Sequence, residues 1–365
     1  MPSVLVVGDW QWPWYQEACA RALESLGCKV MRFGWNERFK RWLPGRSEPV
    51  FRSWWLRIQS RAQSGPAVWR LRRELIQLAR DGRPDVIFFY NVQLIDRATI
   101  RSIKAVAPSA VLCQYANDNP FSPRAVPGLW RNFLRSIPEF HVHFAYRQSN
   151  VEDFRQRGAR EVHLLRSYFI PENDFPVPSG ERDPRFECDV VFAGHYENDG
   201  RVEALETVAR AGYRLKLYGG GWAAALPRLA SDSPLRGLYP IAPATGADYR
   251  QAICGAKVAL CFLSAMNCDT YTRRNFQIPA MGVAMLSQRS ADLAELFVGD
   301  REICFFNSRE ELLQKLGKLT VDGEYRQQLA DAGRRRVWQD EHHVTGRMKQ
   351  LLEVVNGAGR KATAC

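Results

Sequence analysis

The run Cys188-Asp189-Val190-Val191-Phe192-Ala193-Gly194-His195 decides the fold. Its apolar stretch has the length of a buried strand. It follows a segment punctuated by Pro171, Pro176, Pro178 and Pro184, and Gly194 closes it. From here strand and helix patterns alternate. Arg201–Arg210 reads as a helix, and Arg214–Tyr218 as a strand ending in Gly219-Gly220-Gly221-Trp222. Helices over Tyr249–Cys254 and Thr272–Met281 then separate strands over Val258–Leu263 and Val283–Ser287. Strands that are apolar throughout and separated by helices belong to a parallel sheet covered on both faces.

The same alternation precedes that run. Ser3–Gly8 reads as a strand, Tyr15–Leu26 as a helix closed by Gly27, and Lys29–Phe33 as the next strand. A helix over Val68–Arg80 leads to strands at Asp85–Tyr90, Ala110–Tyr115 and His141–Tyr146, followed by a short helix near Asn150–Arg157. The expected fold class is therefore α/β, with two doubly wound Rossmann-like domains facing each other across a cleft at the carboxyl ends of their strands. The expected boundaries are a first domain over 1–170, a linker over 171–187 and a second domain over 188–340. Residues 341–365 should hold a helix, around Val344–Val355, that crosses back to the first domain.

A chain of 365 residues, 46% of them hydrophobic, is long enough to bury two cores. Its longest apolar runs, such as Val86-Ile87-Phe88-Phe89-Tyr90, are far too short to span a bilayer. No basic segment followed by a long apolar one opens the sequence, so a cytoplasmic protein is expected. The nine cysteines show no paired or metal-like spacing, and several sit in apolar runs, as buried free thiols do in a reducing compartment. The net charge of +12 is uneven. Between Arg32 and Arg80, eleven arginines and one lysine face only Glu37, Glu48 and Glu74.

The second half carries more specific marks. After Gly194-His195 come Arg201, then Leu217-Tyr218-Gly219-Gly220-Gly221-Trp222 and Tyr271-Thr272-Arg273-Arg274-Asn275-Phe276-Gln277-Ile278-Pro279-Ala280-Met281-Gly282. Glu295-Leu296-Phe297, Phe305-Phe306 and a helix opening Arg309-Glu310-Glu311-Leu312 follow. This succession resembles the spore-maturation-type (CgeB-like) glycosyltransferase domain, a relative of the family-4 glycosyltransferases. The resemblance runs from about Asp189 to the C-terminus and, more weakly, through the first half. It implies a GT-B architecture, a nucleotide-sugar donor bound mainly by the second domain, an acceptor bound by the first, and no resident cofactor or metal. It further implies retention of configuration. Two glutamates with seven residues between them are typical of the family-4 relatives. The first lies near the transferred sugar and the second holds the donor's ribose hydroxyls. Here those positions are Asp269 and Gln277.

The residues suggest their own chemistry. Arg273 and Arg274 offer forked donors to a pyrophosphate, and Arg274 matches the family's arginine. Gln277 can both donate to and accept from hydroxyls. The donor site is thus expected to draw on Gly194, His195, Arg201, Tyr218, Gly219, Gly220, Trp222, Arg273, Arg274, Asn275 and Gln277. For His195 a hydrogen bond at a strand end is the alternative, and for the glycine run a plain turn. In the first half, Gly8-Asp9-Trp10-Gln11-Trp12 and Asn117-Asp118-Asn119-Pro120 each set a carboxylate just past a strand. Asp9, Asp118 and Asp269 are the candidate catalytic or acceptor-contacting carboxylates, although Asp118 can instead stabilise its own turn.

The segment 35–73 interleaves Trp35, Phe39, Trp42, Phe51, Trp54, Trp55 and Trp69 with arginines. Rings and cations together suit contact with an anionic membrane surface, while some of these aromatics belong equally well in a core. No recognition motif points to nucleic acid. The expected activity is transfer of a sugar to a hydroxyl on a surface glycan, glycolipid or protein. The rivals are a nucleotide-sugar epimerase of the same architecture and a non-catalytic nucleotide- or glycan-binding protein. A Rossmann dehydrogenase is disfavoured because Gly8-Asp9-Trp10-Gln11-Trp12-Pro13 is no GxGxxG.

Overall fold

The computed structural model describes residues 1–36, 38, 50–126 and 128–363, the side chains of 50–53 and 359–363 excepted. Of the aromatics singled out above, Phe39 and Trp42 lie outside the described residues, as does the Phe51 side chain.

The chain divides into two compact units, one formed by Met1–Arg166 with Val344–Cys365 and the other by Ser167–His343. The first holds a six-stranded sheet of β1 (Ser3–Gly8), β2 (Lys29–Gly34), β3 (Val86–Tyr90), β4 (Val111–Ala116), β5 (Val142–Ala145) and β6 (Val162–Leu164), in the order β2-β1-β3-β4-β5-β6. All described pairings are parallel; Val4 pairs with Val30 on one side and Val86 on the other. Helices α1 (Ala18–Ser25), α2 (Val50–Ala62), α3 (Pro66–Gly82), α4 (Arg97–Val106), α5 (Arg131–Ser136) and α6 (Gln148–Gln156) connect these strands.

The second unit repeats the plan with β7 (Cys188–Ala193), β8 (Leu215–Tyr218), β9 (Ala256–Cys261), β10 (Ala284–Gln288) and β11 (Cys304–Phe306), ordered β11-β10-β9-β7-β8. Its helices are α7 (Arg201–Arg210), α8 (Ala247–Cys254), α9 (Arg274–Ala280), α10 (Ala291–Leu296), α11 (Arg309–Val321) and α12 (Gly323–Gln339). In both sheets the first strand is flanked by the second on one side and the third on the other. The winding direction reverses there, between β1 and β3 and between β7 and β9. Such a switch point opens a crevice at the carboxyl ends of the two strands.

Several elements differ from the sequence reading. The helix expected over Tyr15–Leu26 is a π-helical turn at Pro13–Glu17 followed by α1. Strands β6 and β11 have three residues each, too short for a periodic signal to register. Helix α4 was missed although its signal was present, since Asp96 caps it by accepting from the Thr99 N–H at 2.9 Å. The segment 171–187, expected as a linker, is part of the second unit. Val177 and Phe186 are buried, Asp183 N–H donates to Gln251 Oε1 at 3.2 Å, and just upstream Ser167 N–H donates to Tyr271 Oη at 3.1 Å. Its prolines serve a packed irregular path rather than a tether. The last helix, α13 (Val344–Thr363), packs on α1 and β4 of the first unit, where Gln350 Nε2 donates to the Leu164 carbonyl at 2.9 Å.

Among the described residues no helix is long and apolar enough to cross a membrane. Of the described cysteines, only Cys268 is exposed.

Candidate functional site

The switch point of the second unit is bracketed by the loop after β7, Gly194 to Gly200, and the loop after β9, Phe262 to Arg273. The ends of β7 and β8 are laced together. Gly194 N–H donates to the Tyr218 carbonyl at 2.8 Å, and Tyr196 N–H to the Gly220 carbonyl at 3.0 Å. Gly219 has φ +149°, and a Cβ there would lie 1.9 Å from the Gly194 oxygen. The glycine run is therefore a close-approach device. Gly220 lies beneath the exposed His195 ring, whose Cδ2 would be 3.0 Å from an added Cβ.

Arg274 opens α9. Its guanidinium lies against the Gly194 backbone, with Nη1 3.3 Å from where a Cβ would stand, and 5.9 Å from the Phe192 ring centroid. Its Nε is buried without a hydrogen-bond partner. Asp269 is the carboxylate that acts on it, held in place by its own N–H donating to the Ser264 carbonyl at 2.8 Å. Arg273 lies 5.1 Å over the Tyr168 ring and 3.9 Å from the Asp174 carboxylate. Gln277, one helical turn on, donates from Nε2 to Asp174 Oδ1 at 2.9 Å and accepts from the Tyr249 hydroxyl at 3.4 Å. Burial pushes the Asp174 carboxyl up against the pull of Arg273, the Ile170 N–H, Gln277 and Arg250; burial raises the Tyr249 phenol too. The second unit thus gathers Gly194, His195, Gly219, Gly220, Asp269, Arg273, Arg274 and Gln277, with the half-buried Tyr218 at the end of β8.

Three residues expected on the ligand are scaffold instead. Arg201 is 2% exposed and bidentate to Asp199 at 2.6 and 2.7 Å, and it donates to the His195 carbonyl at 2.6 Å. Every strong direction of its fork points at protein, so it braces the loop after β7 and is not free for a phosphate. Trp222, 1% exposed, spends its indole N–H on the Gly194 carbonyl at 3.0 Å. Asn275 is fully buried; its Oδ1 accepts from the Thr272 N–H at 2.7 Å and its Nδ2 donates to Ser287 Oγ at 3.1 Å. Conversely, sequence reasoning missed Asp174 and Tyr249. It also missed Glu197, whose carboxylate accepts from Ser264 Oγ at 3.0 Å and Met266 N–H at 3.3 Å and so holds the loop leading to Asp269. Asp174 was hidden by the Pro-rich segment around it. Glu197 had a visible signal, since it stands in the same post-strand loop as His195.

In the first unit, Asp9 follows β1, Asn91 follows β3 and Asp118 follows β4. Asn91 Nδ2 donates to Asp118 Oδ2 at 3.1 Å, and Arg147 donates to the neighbouring Asn117 carbonyl at 3.1 Å. Asn91 and Trp10 both take left-handed backbone conformations, each with φ 56°. The Trp10 indole N–H is turned back onto the Phe33 carbonyl at 3.0 Å. Burial raises the Asp118 carboxyl; Asn91 and Arg147 oppose the shift, and Asp9 adds to it. Asn91 was also missed, although an asparagine directly after a buried strand is a recognisable sign.

Residues 201–353, which include Arg274 and Gln277, match the glycosyl transferase-like family model. No curated protein matches the chain by sequence. Among solved structures it is similar to HepE of Anabaena in complex with UDP and glucose, at TM-score 0.68 and 13% identity over 98% of this chain and 100% of that one. It is similar to sucrose-phosphate synthase of Thermosynechococcus elongatus at TM-score 0.67 and 11% identity, again over 98% and 100%. A putative UDP-N-acetylglucosamine 2-epimerase of Listeria monocytogenes follows at TM-score 0.55 and 11% identity, over 98% of this chain and 97% of that one. At these identities the correspondence establishes the fold, which is GT-B, two parallel-sheet α/β domains over the whole chain.

Proposed function

We propose that this chain transfers a glycosyl group from a nucleotide-sugar donor to a hydroxyl acceptor. The observation that carries the reading is Arg274. A guanidinium held against the Gly194 backbone at a switch point, with a buried and unpartnered Nε, is a cation arranged for an anion. The glycosyl transferase-like match over 201–353 supports it, as does the bound UDP-glucose of the Anabaena neighbour.

In this reading Arg273 and Arg274 take the diphosphate and stabilise the charge that grows as the bond between the sugar's anomeric carbon and phosphate oxygen breaks. The acceptor oxygen forms the new bond on the same face, and its proton passes to the departing phosphate. No resident cofactor or metal takes part. Asp269 contacts the transferred sugar. His195, beside Gly220, contacts the donor as well. Asp9 and Asp118 hold acceptor hydroxyls, with the glycan, glycolipid or protein acceptor standing against the first unit. The exposed Trp54, Trp55 and Trp69 with the arginines around them favour an acceptor at an anionic membrane surface.

The test is calorimetric titration with UDP, GDP, ADP and dTDP, repeated with Arg274→Ala. One nucleotide should bind, and the variant should lose at least about tenfold in affinity, since a charge-assisted hydrogen bond contributes roughly 1.5–3 kcal/mol. Absence of binding by folded wild-type protein would overturn the reading. Turnover of a nucleotide sugar without any acceptor would favour the epimerase instead.

A further inference from the structure

Asp174 is 3% exposed and lies in the irregular segment before β7. Its Oδ2 accepts from the Ile170 N–H at 2.8 Å and its Oδ1 from Gln277 Nε2 at 2.9 Å. The cations facing it are Arg273, at 3.9 Å, and Arg250, which lies 3.9 Å over the Phe175 ring. The Tyr249 hydroxyl donates to Oε1 of Gln277 at 3.4 Å.

The hydrogen-bond capacity of that amide can be counted. A primary amide has two N–H donors and an oxygen with two lone pairs. Asp174 takes one N–H and Tyr249 one lone pair. One N–H and one lone pair remain on a half-buried side chain one turn from Arg273 and Arg274. A vicinal diol presents the complementary acceptor and donor. We propose that Asp174 is a positioning residue that locks the Gln277 amide so that its remaining N–H and lone pair meet the two ribose hydroxyls of a nucleoside diphosphate. The assignment rests on the donor-site reading above. Without a carboxylate at 174 the amide can turn over, exchanging donor for acceptor, because its two ends have nearly the same shape.

The same contact accounts for an amide at 277. A glutamate there would set two carboxylates within hydrogen-bond distance, and one of them would have to keep a proton. Moving the carboxylate from 174 to 277 and the amide from 277 to 174 would preserve the pair.

Two measurements test this. The first is titration with UDP and 2′-deoxy-UDP. Wild-type protein should prefer UDP by about tenfold, and Asp174→Asn should narrow that to within about threefold by weakening UDP alone. The swapped pair Asp174→Asn with Gln277→Glu should restore the preference. Equal losses for both nucleotides would reduce Asp174 to a loop brace and overturn the proposal, as would wild-type protein that binds the two alike. Where the protein binds GDP or ADP rather than UDP, the same comparison is made with that nucleotide and its 2′-deoxy form; binding of no nucleoside diphosphate overturns the donor reading itself. The second measurement needs no ligand. Gln277→Glu alone should melt progressively below wild type as the pH rises from about 5 to about 8, because the carboxylate pair is stable only while it shares a proton, and the swapped pair should not. Gln277→Glu that follows wild type throughout that range overturns the coupling.

Discussion

A β-carbon on Gly219 would lie 1.9 Å from the carbonyl oxygen of Gly194, so the ends of β7 and β8 meet at a separation that only glycine permits. Gly219 also has φ +149°, which side chains rarely adopt. Gly219→Ala should therefore cost about 3 kcal/mol, combining backbone strain with a backbone clash. Gly220→Ala meets only the His195 ring, a side chain that can swing aside, and should cost less than about 1 kcal/mol. Urea denaturation of both variants measures the difference, and equal losses would contradict the close-approach account.

Arg201 and Arg274 separate brace from proposed donor site. Arg201 is 2% exposed and its partner Asp199 carboxylate 7%. Arg201→Ala leaves that carboxylate buried and uncompensated, which costs roughly 3–5 kcal/mol. Arg274→Ala should instead remove nucleotide binding while shifting stability much less. Thermal melts beside the nucleotide titration read both effects. An Arg201→Ala protein as stable as wild type would refute the brace.

What could be read in the sequence followed the strength of the local signals. The strands around Val4–Val7, Val86–Tyr90 and Val190–Ala193 are apolar from end to end, and the glycines and helices beside them fix a parallel sheet. Arg273, Arg274 and Gln277 were recognisable because their spacing follows a motif. Whether a motif residue faces a ligand or the core depends on tertiary partners, which spacing does not encode. Arg201 meets Asp199, Trp222 meets Gly194, and Asn275 meets Ser287, and each is thereby withdrawn from the site. Asp174 was obscured for the opposite reason. It reaches Gln277 across 103 positions of sequence, from a stretch whose prolines resemble a tether.

Asp118 gives a pH dependence whose sign follows from burial. Its carboxyl is raised in the folded protein, so the folded state holds the proton more tightly than the unfolded chain does. The associated stability is fully present below the unfolded value near 3.8 and is lost as the pH rises through the folded value. Asp118→Asn, which is never charged, should be more stable than wild type at neutral pH, with the advantage shrinking toward pH 4. If Asp118 holds the acceptor, the same variant should lose glycosyl transfer while keeping nucleotide affinity. Melting curves across pH check the first half. A variant less stable than wild type at neutral pH would show that the hydrogen bond to Asn91 outweighs the cost of burial.

The packed helices α2 and α3 carry Trp54, Trp55 and Trp69 at 53, 47 and 54% exposure. Arg57, Arg61, Arg70 and Arg73 are exposed with them, and no acidic residue occurs between Val50 and Arg73. Indole rings favour the headgroup level, and each arginine near an anionic leaflet contributes about 1 kcal/mol. The protein should therefore sediment with vesicles containing phosphatidylglycerol and not with pure phosphatidylcholine, and raising the salt should weaken the binding. Replacing Arg57, Arg61 and Arg73 with glutamine should lower vesicle affinity by at least about tenfold, and serine at the three tryptophans should do the same while leaving the salt dependence of any residual binding intact. Equal binding by the tryptophan variant would mean that the face recognises charge alone, as a polyanion site does. The membrane assignment would then fall.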